Sequence, residues 1–155
     1  MERREFIALI GSAAAAMPAR AEAGVHPPDS LGGRLVGTWG FASSINIRSD
    51  GTTFDRWGAN PKGVFMLDPV GNYALIIAGS ESRVFGAKTF FAFGTYAVEE
   101  SGKRLTTNID SCSAAKLNGT VQSRIILSLT PKELKYANPS GPYGSTAEVL
   151  WTRIG

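Results

Sequence analysis

Few side chains in this sequence can move a proton or attack a substrate, and their spacing limits the chemistry further. The 155 residues include one histidine, His26, and one cysteine, Cys112. His26 stands before two prolines in a stretch rich in Gly and Pro, so a Ser-His-Asp or Cys-His device is not expected. Cys112 has no activating neighbour in sequence and reads as a buried structural thiol. A lone Cys excludes an internal disulfide and a Cys-cluster zinc site, and a lone His excludes a His-pair metal centre. Gly32-Gly33 and Gly141-x-x-Gly144 lack the pattern of a phosphate loop. Most carboxylates neighbour turn residues, as Asp50, Asp68, Glu99 and Glu100 do, and read as solvated turn formers. Asp110 closes an apolar run and reads as a strand end. No catalytic residue, metal or cofactor is therefore expected. Sixteen basic against thirteen acidic residues give a net charge of +3, too slight and too scattered for a nucleic-acid surface.

What remains is binding chemistry. Arg124 opens the run Ile125-Ile126-Leu127. If it points into an apolar interior, it would anchor a carboxylate or polar head group through charge-assisted hydrogen bonds. An outward Arg at a strand start fits the same residues. Tyr73, Tyr96 and Tyr136 could supply phenolic donors or pack as amphipathic core. Phe91 and Phe93 share one face of a strand and Phe90 takes the other. With Phe91 and Phe93 inward, alongside Phe41 and Phe65, they would form an apolar cavity wall. The same rings could also fill a solid core. Trp57 and Phe85 lie near turns, where they could rim a mouth or stand exposed.

The elements that must position these residues are strands. Short runs of β-formers alternate with turn residues at nearly regular spacing, over 35–48, 52–57, 64–67, 72–78, 89–98, 104–110, 119–129, 132–138 and 145–154. In the first run Trp39, Phe41, Ser43, Ile45 and Ile47 alternate onto one face. Ser49-Asp50-Gly51, Asn60-Pro61-Lys62-Gly63 and Asp68-Pro69-Val70-Gly71 are turns. No helix is expected after the leader. Consecutive strands with short links favour antiparallel neighbours, and closure removes the sheet edges. The fold expected is all-β, an up-and-down antiparallel barrel of about 8–10 strands, wide enough for one small ligand.

Residues 1–23 read as an export signal. Arg3 and Arg4 precede an apolar run from Phe6 to Met17, and Ala19-Arg20-Ala21-Glu22-Ala23 offers cuts after Ala21 or Ala23. Twelve helical residues rise about 18 Å, short of the roughly 30 Å of a bilayer core, so no stable membrane anchor is expected. Arg3-Arg4-x-Phe6-Ile7 resembles the bacterial twin-arginine signal. Glu2 and Ala8 depart from it, and the general secretory route stays open. The product would be periplasmic or secreted. Residues 24–34 read as a linker, and 35–155 as the barrel domain.

Gly37-Thr38-Trp39 on the first strand and Trp151-x-Arg153 on the last resemble the lipocalin and fatty-acid-binding barrel signature. In that superfamily the Arg covers the Trp and seals one end. The wider pattern is similar to the bacterial lipocalin-like domain family. Its pieces are Asn60-Pro61-Lys62-Gly63, Asp68-Pro69-x-Gly71-x-Tyr73, Gly94-Thr95-Tyr96-x-Val98 and Asn118-Gly119-Thr120 with Arg124. They fall in the family's order along nearly all of 35–155. Members often carry a His on the strand that here reads Leu105-Thr106-Thr107-Asn108-Ile109. The resemblance implies barrel closure at Trp39 and Arg153. The function it implies is an exported barrel binding a small, mostly hydrophobic molecule at Phe41, Phe65, Tyr73, Phe91, Phe93, Arg124 and Tyr136. The alternatives are a small isomerase- or cyclase-like barrel enzyme, and an inhibitor barrel whose partner is a protein.

Overall fold

Turn chemistry cuts the chain into strands. The Asp68 carboxylate accepts the backbone N–H groups of Val70 at 3.0 Å and Asn72 at 2.7 Å, which closes one hairpin. Asp50 does the same for Thr52 at 2.9 Å. The computed structural model describes residues 26–80 and 88–155, so the leader expected over 1–23, and Phe85, lie outside the described residues. The strands are β1 (Gly37–Ile47), β2 (Thr53–Phe54), β3 (Lys62–Leu67), β4 (Asn72–Ala78), β5 (Thr89–Glu99), β6 (Arg104–Cys112), β7 (Val121–Leu129), β8 (Glu133–Asn138) and β9 (Thr146–Arg153). From β3 to β9 each strand pairs antiparallel with the next, and β1 pairs with both β3 and β9. Eight strands therefore close an up-and-down antiparallel barrel, and β2 is a short ribbon on the end of β1.

Two features depart from the expectations. The pairing of β1 with β9 shifts between Phe41 and Ser43, leaving Ala42 as an extra residue. This bulge breaks the alternation read from Trp39 to Ile47. Trp39 points inward, but beyond the bulge Asn46 is buried and Ile45 faces solvent. The second is a helical turn, α1 (Leu31–Leu35), where a linker was expected. Its sequence is too short and too rich in glycine to show a helical period. It is held by its caps instead. Ser30 Oγ accepts the Gly33 N–H at 3.0 Å, and the Glu100 carboxylate accepts those of Leu31 at 2.8 Å and Gly32 at 3.0 Å.

The end of the barrel beneath α1 is sealed. The Arg153 guanidinium carbon lies 4.1 Å from the centroid of Trp39, which is fully buried. Arg153 also donates to the carbonyls of Arg34 at 2.6 Å, Val36 at 2.9 Å and Pro131 at 2.9 Å. The Trp39 indole N–H donates to Leu35 O at 3.0 Å. One cation and one indole thus satisfy the carbonyls that leave the last turn of α1. Gly37 holds φ +140, and a side chain there would meet the Arg153 guanidinium.

The N-terminal cap makes the seal sensitive to acid. The Gly32 N–H is the chief group holding the Glu100 carboxyl below its ordinary value of 4.5, with help from the Leu31 N–H and His26. A carboxyl depressed in the folded state contributes stability above the unfolded value and loses it as pH falls through the folded one. Glu100 is solvent-exposed, so its contribution is roughly 0.5–1 kcal/mol. Glu100→Gln is expected to be less stable than wild type at pH 7 and equal to it near pH 2. Urea midpoints across that range check this, and a constant difference would refute it.

Candidate functional site

Aromatic side chains fill the lower half of the barrel. Phe65 lies 6.3 Å from Tyr73, 6.3 Å from Tyr136 and 5.5 Å from Trp151, centroid to centroid. Phe41 meets Trp151 edge-on at 5.4 Å. These rings make a floor, so the barrel is neither hollow throughout nor solid throughout. Above the floor, at the end opposite the Trp39 seal, is a cavity of about 180 Å³.

Leu75, Ile77, Phe90 and Val149 form its apolar wall. Arg124 projects into the same space and is only 4% exposed. It lies on the inward face of β7, between Gln122 and Ile126, and its neighbours fix the guanidinium. Nη1 donates to Thr107 Oγ1 at 2.6 Å and Nη2 to Gln122 Oε1 at 3.2 Å, while the Tyr136 ring lies 5.5 Å from its carbon. Among the described residues its Nε–H has no partner. All of these neighbours are neutral. Burial raises the Tyr73 phenol above its ordinary value, against the opposing pull of Arg124 and of the nearby Thr107 hydroxyl. Nearer the mouth, the Arg56 guanidinium packs 4.4 Å from the ring centroid of Trp57 and 5.3 Å from that of Phe90. Burial draws Arg56 down to about 10, so it stays cationic at neutral pH. Among the described residues lining the cavity there are two arginines and no Asp or Glu. A dry cavity of about 150 Å³ takes a benzene molecule, so this volume fits one ring or a short chain with a small head group.

The expected site residues are only partly brought together. Arg124 and Tyr136 line the cavity. Phe65 is fully buried and Tyr73 nearly so, both beneath it. Phe41 borders a shallow outer depression with Asp55, Gly58 and Pro61. Phe91 and Phe93 are corrected outright: they are 41% and 47% exposed on the outer surface of β5. Phe90 takes their place, and Ala92 is the next buried position on its face. Trp57 is buried and lines the cavity. Trp39 and Arg153 make the seal where the sequence placed it.

Six polar residues of the lining escaped the sequence reading: Ser44, Asn46, Arg56, Gln122, Asn138 and Ser140. Asn46 is 1% exposed, and neither its Oδ1 nor Ser44 Oγ has a hydrogen-bond partner among the described residues. The bulge at Ala42 turns Ser44 and Asn46 inward, and nothing in the local sequence announces it.

No known family model and no curated protein matches this chain. Among solved structures it is similar to a redesigned β-barrel, with a TM-score of 0.49 and 15% identity over 81% of this chain and 96% of that one. It is also similar to a de novo designed fluorescence-activating β-barrel, with a TM-score of 0.47 and 15% identity over 81% of this chain and 98% of that one.

Proposed function

We propose that the protein is an exported lipocalin-like barrel. It binds a small, mostly hydrophobic molecule with an anionic head group in the cavity opposite the Trp39 seal. The observation that carries this reading is Arg124, a buried guanidinium that borders an apolar cavity and has only neutral partners among the described residues. A buried cation without a counter-ion is costly to the folded state unless something completes it. A carboxylate or similar anion would do so, using the unpartnered Nε–H. The apolar wall would hold the body of the ligand. Arg153 over Trp39 and the ordered motifs support the family assignment, and Arg3-Arg4 with the Ala-rich run supports export.

Native mass spectrometry of the protein from its own producing cells tests both parts. The expected spectrum lacks residues 1–21 or 1–23 and carries a retained small acid. An intact chain beginning at Met1 would overturn export. A bare protein that also fails to bind small aromatic acids in calorimetry would overturn the binding function.

A further inference from the structure

We infer that the ligand is an acid bearing a hydrogen-bond donor at the end remote from its carboxylate, and that Asn46 is the residue that selects for it. The inference rests on the anion-binding reading of the cavity. Three observations carry it. Asn46 is almost fully buried, borders the cavity, and its Oδ1 accepts no hydrogen bond. Buried amides left without partners are rare in native proteins, and one that lines a cavity points to a missing ligand atom.

The second observation is how Asn46 comes to point inward. The extra residue at Ala42 shifts the strand by one, which brings Ser44 and Asn46 in and puts Ile45 outside at 42% exposure. Without the bulge, the simple alternation would have buried the isoleucines. The chain thus exchanges apolar lining for polar lining at some loss to its own stability. Bulges that re-aim side chains in this way gather at binding sites.

The third is position. Asn46 pairs with Ala147 on β9, and Ala147 pairs with Asn138 on β8. Ile125 of β7 pairs with Ala137, so Arg124 follows Asn138 in the same row. Arg124 and Asn46 therefore stand at one level of the barrel, three strand spacings or about 14 Å apart along the wall. Ala147 and Asn138 stand between them in that row, and the short side chain of Ala147 leaves room beside Asn46. A molecule held at both points must carry its two polar groups at opposite ends, with its apolar body between.

The experiment is calorimetry of the full mature protein with three probes: benzoate, 4-hydroxybenzoate and 2-hydroxybenzoate. The para hydroxyl faces away from the carboxylate and can reach Asn46, whereas the ortho hydroxyl cannot. The expected result is about tenfold tighter binding of 4-hydroxybenzoate than of benzoate, one hydrogen bond's worth, and no gain for 2-hydroxybenzoate. Asn46→Leu should abolish the para preference, leave benzoate binding in place, and raise Tm by a few degrees, because it removes an unpartnered buried amide. A structural asparagine would instead lower Tm on replacement. Asn46→Ala serves if leucine does not fit. Equal binding of benzoate and 4-hydroxybenzoate to wild type would overturn the inference, as would a uniform loss for all three acids in Asn46→Leu. Failure of all three acids to bind wild type would overturn the anion-binding reading, and this inference with it.

Discussion

Arg153→Met is expected to lower the free energy of unfolding by about 2–4 kcal/mol, roughly the sum of a cation–π contact and two or three charge-assisted hydrogen bonds, less what water restores. The guanidinium is stacked on Trp39 and donates to the backbone carbonyls of Arg34, Val36, Pro131 and Gly155. Methionine keeps the apolar stem over the indole but leaves those carbonyls without donors. Arg153→Lys should recover only a small part of the loss, because an ammonium cannot present a planar fork to carbonyls on different sides. Equilibrium urea unfolding checks this, read as the shift in midpoint at constant slope. A lysine variant as stable as wild type would show that charge alone holds the seal. Ligand affinity should not change, since the cavity lies at the other end of the barrel.

Arg124→Met is expected to act in the opposite sense on stability and far more strongly on binding. The wild-type guanidinium is buried among neutral partners. Replacing it with an apolar side chain of similar length removes a desolvated cation, and stability should rise by about 1–3 kcal/mol. Binding of a small acid such as benzoate should fall by about a hundredfold, since truncating one partner of a buried charge pair commonly costs 2–5 kcal/mol. Calorimetry and thermal unfolding on the same samples separate the two effects. Unchanged affinity would show that acids do not bind at Arg124. A variant that is both less stable and unable to bind would indicate a structural role for the arginine. Stability gained where function is lost is the usual mark of a binding residue.

Much of this architecture could be read from local chemistry. The Asp68 turn is visible because an Asp, a Pro and a Gly act within four residues of each other. Trp39 and Arg153 were legible because their residue types have a shared physical use, although they are far apart in sequence. The aromatic strand was ambiguous for a physical reason. With Phe90, Phe91 and Phe93 all on β5, alternation separates the faces but does not say which one looks inward. Here the larger pair faces out, next to Ile76 and Met66, which are also exposed. Asn46 was missed because Trp39, Phe41, Ser43, Ile45 and Ile47 read as an unbroken stripe. The bulge that reverses the stripe comes from pairing with β9, a strand at the other end of the chain. Turn chemistry is local, whereas bulges follow from tertiary pairing, and the inward turn of Ser44 and Asn46 depends on one.

The closing ladder between β1 and β9 also governs how fast this molecule can be made and lost. Every pairing from β3 through β9 joins strands adjacent in the chain and can form as a hairpin within microseconds. The β1–β9 ladder alone joins the first strand to the last, and it must overcome the loop-closure entropy of nearly the whole domain. Closure is therefore the slow, late event, on the order of milliseconds to seconds for such non-local topology. Contacts that form after the rate-limiting crossing slow unfolding without speeding folding. The Arg153 clasp, which binds the end of β9 to the approach to β1, belongs to that class. It acts as a latch that sets the lifetime of the folded barrel rather than the time taken to reach it.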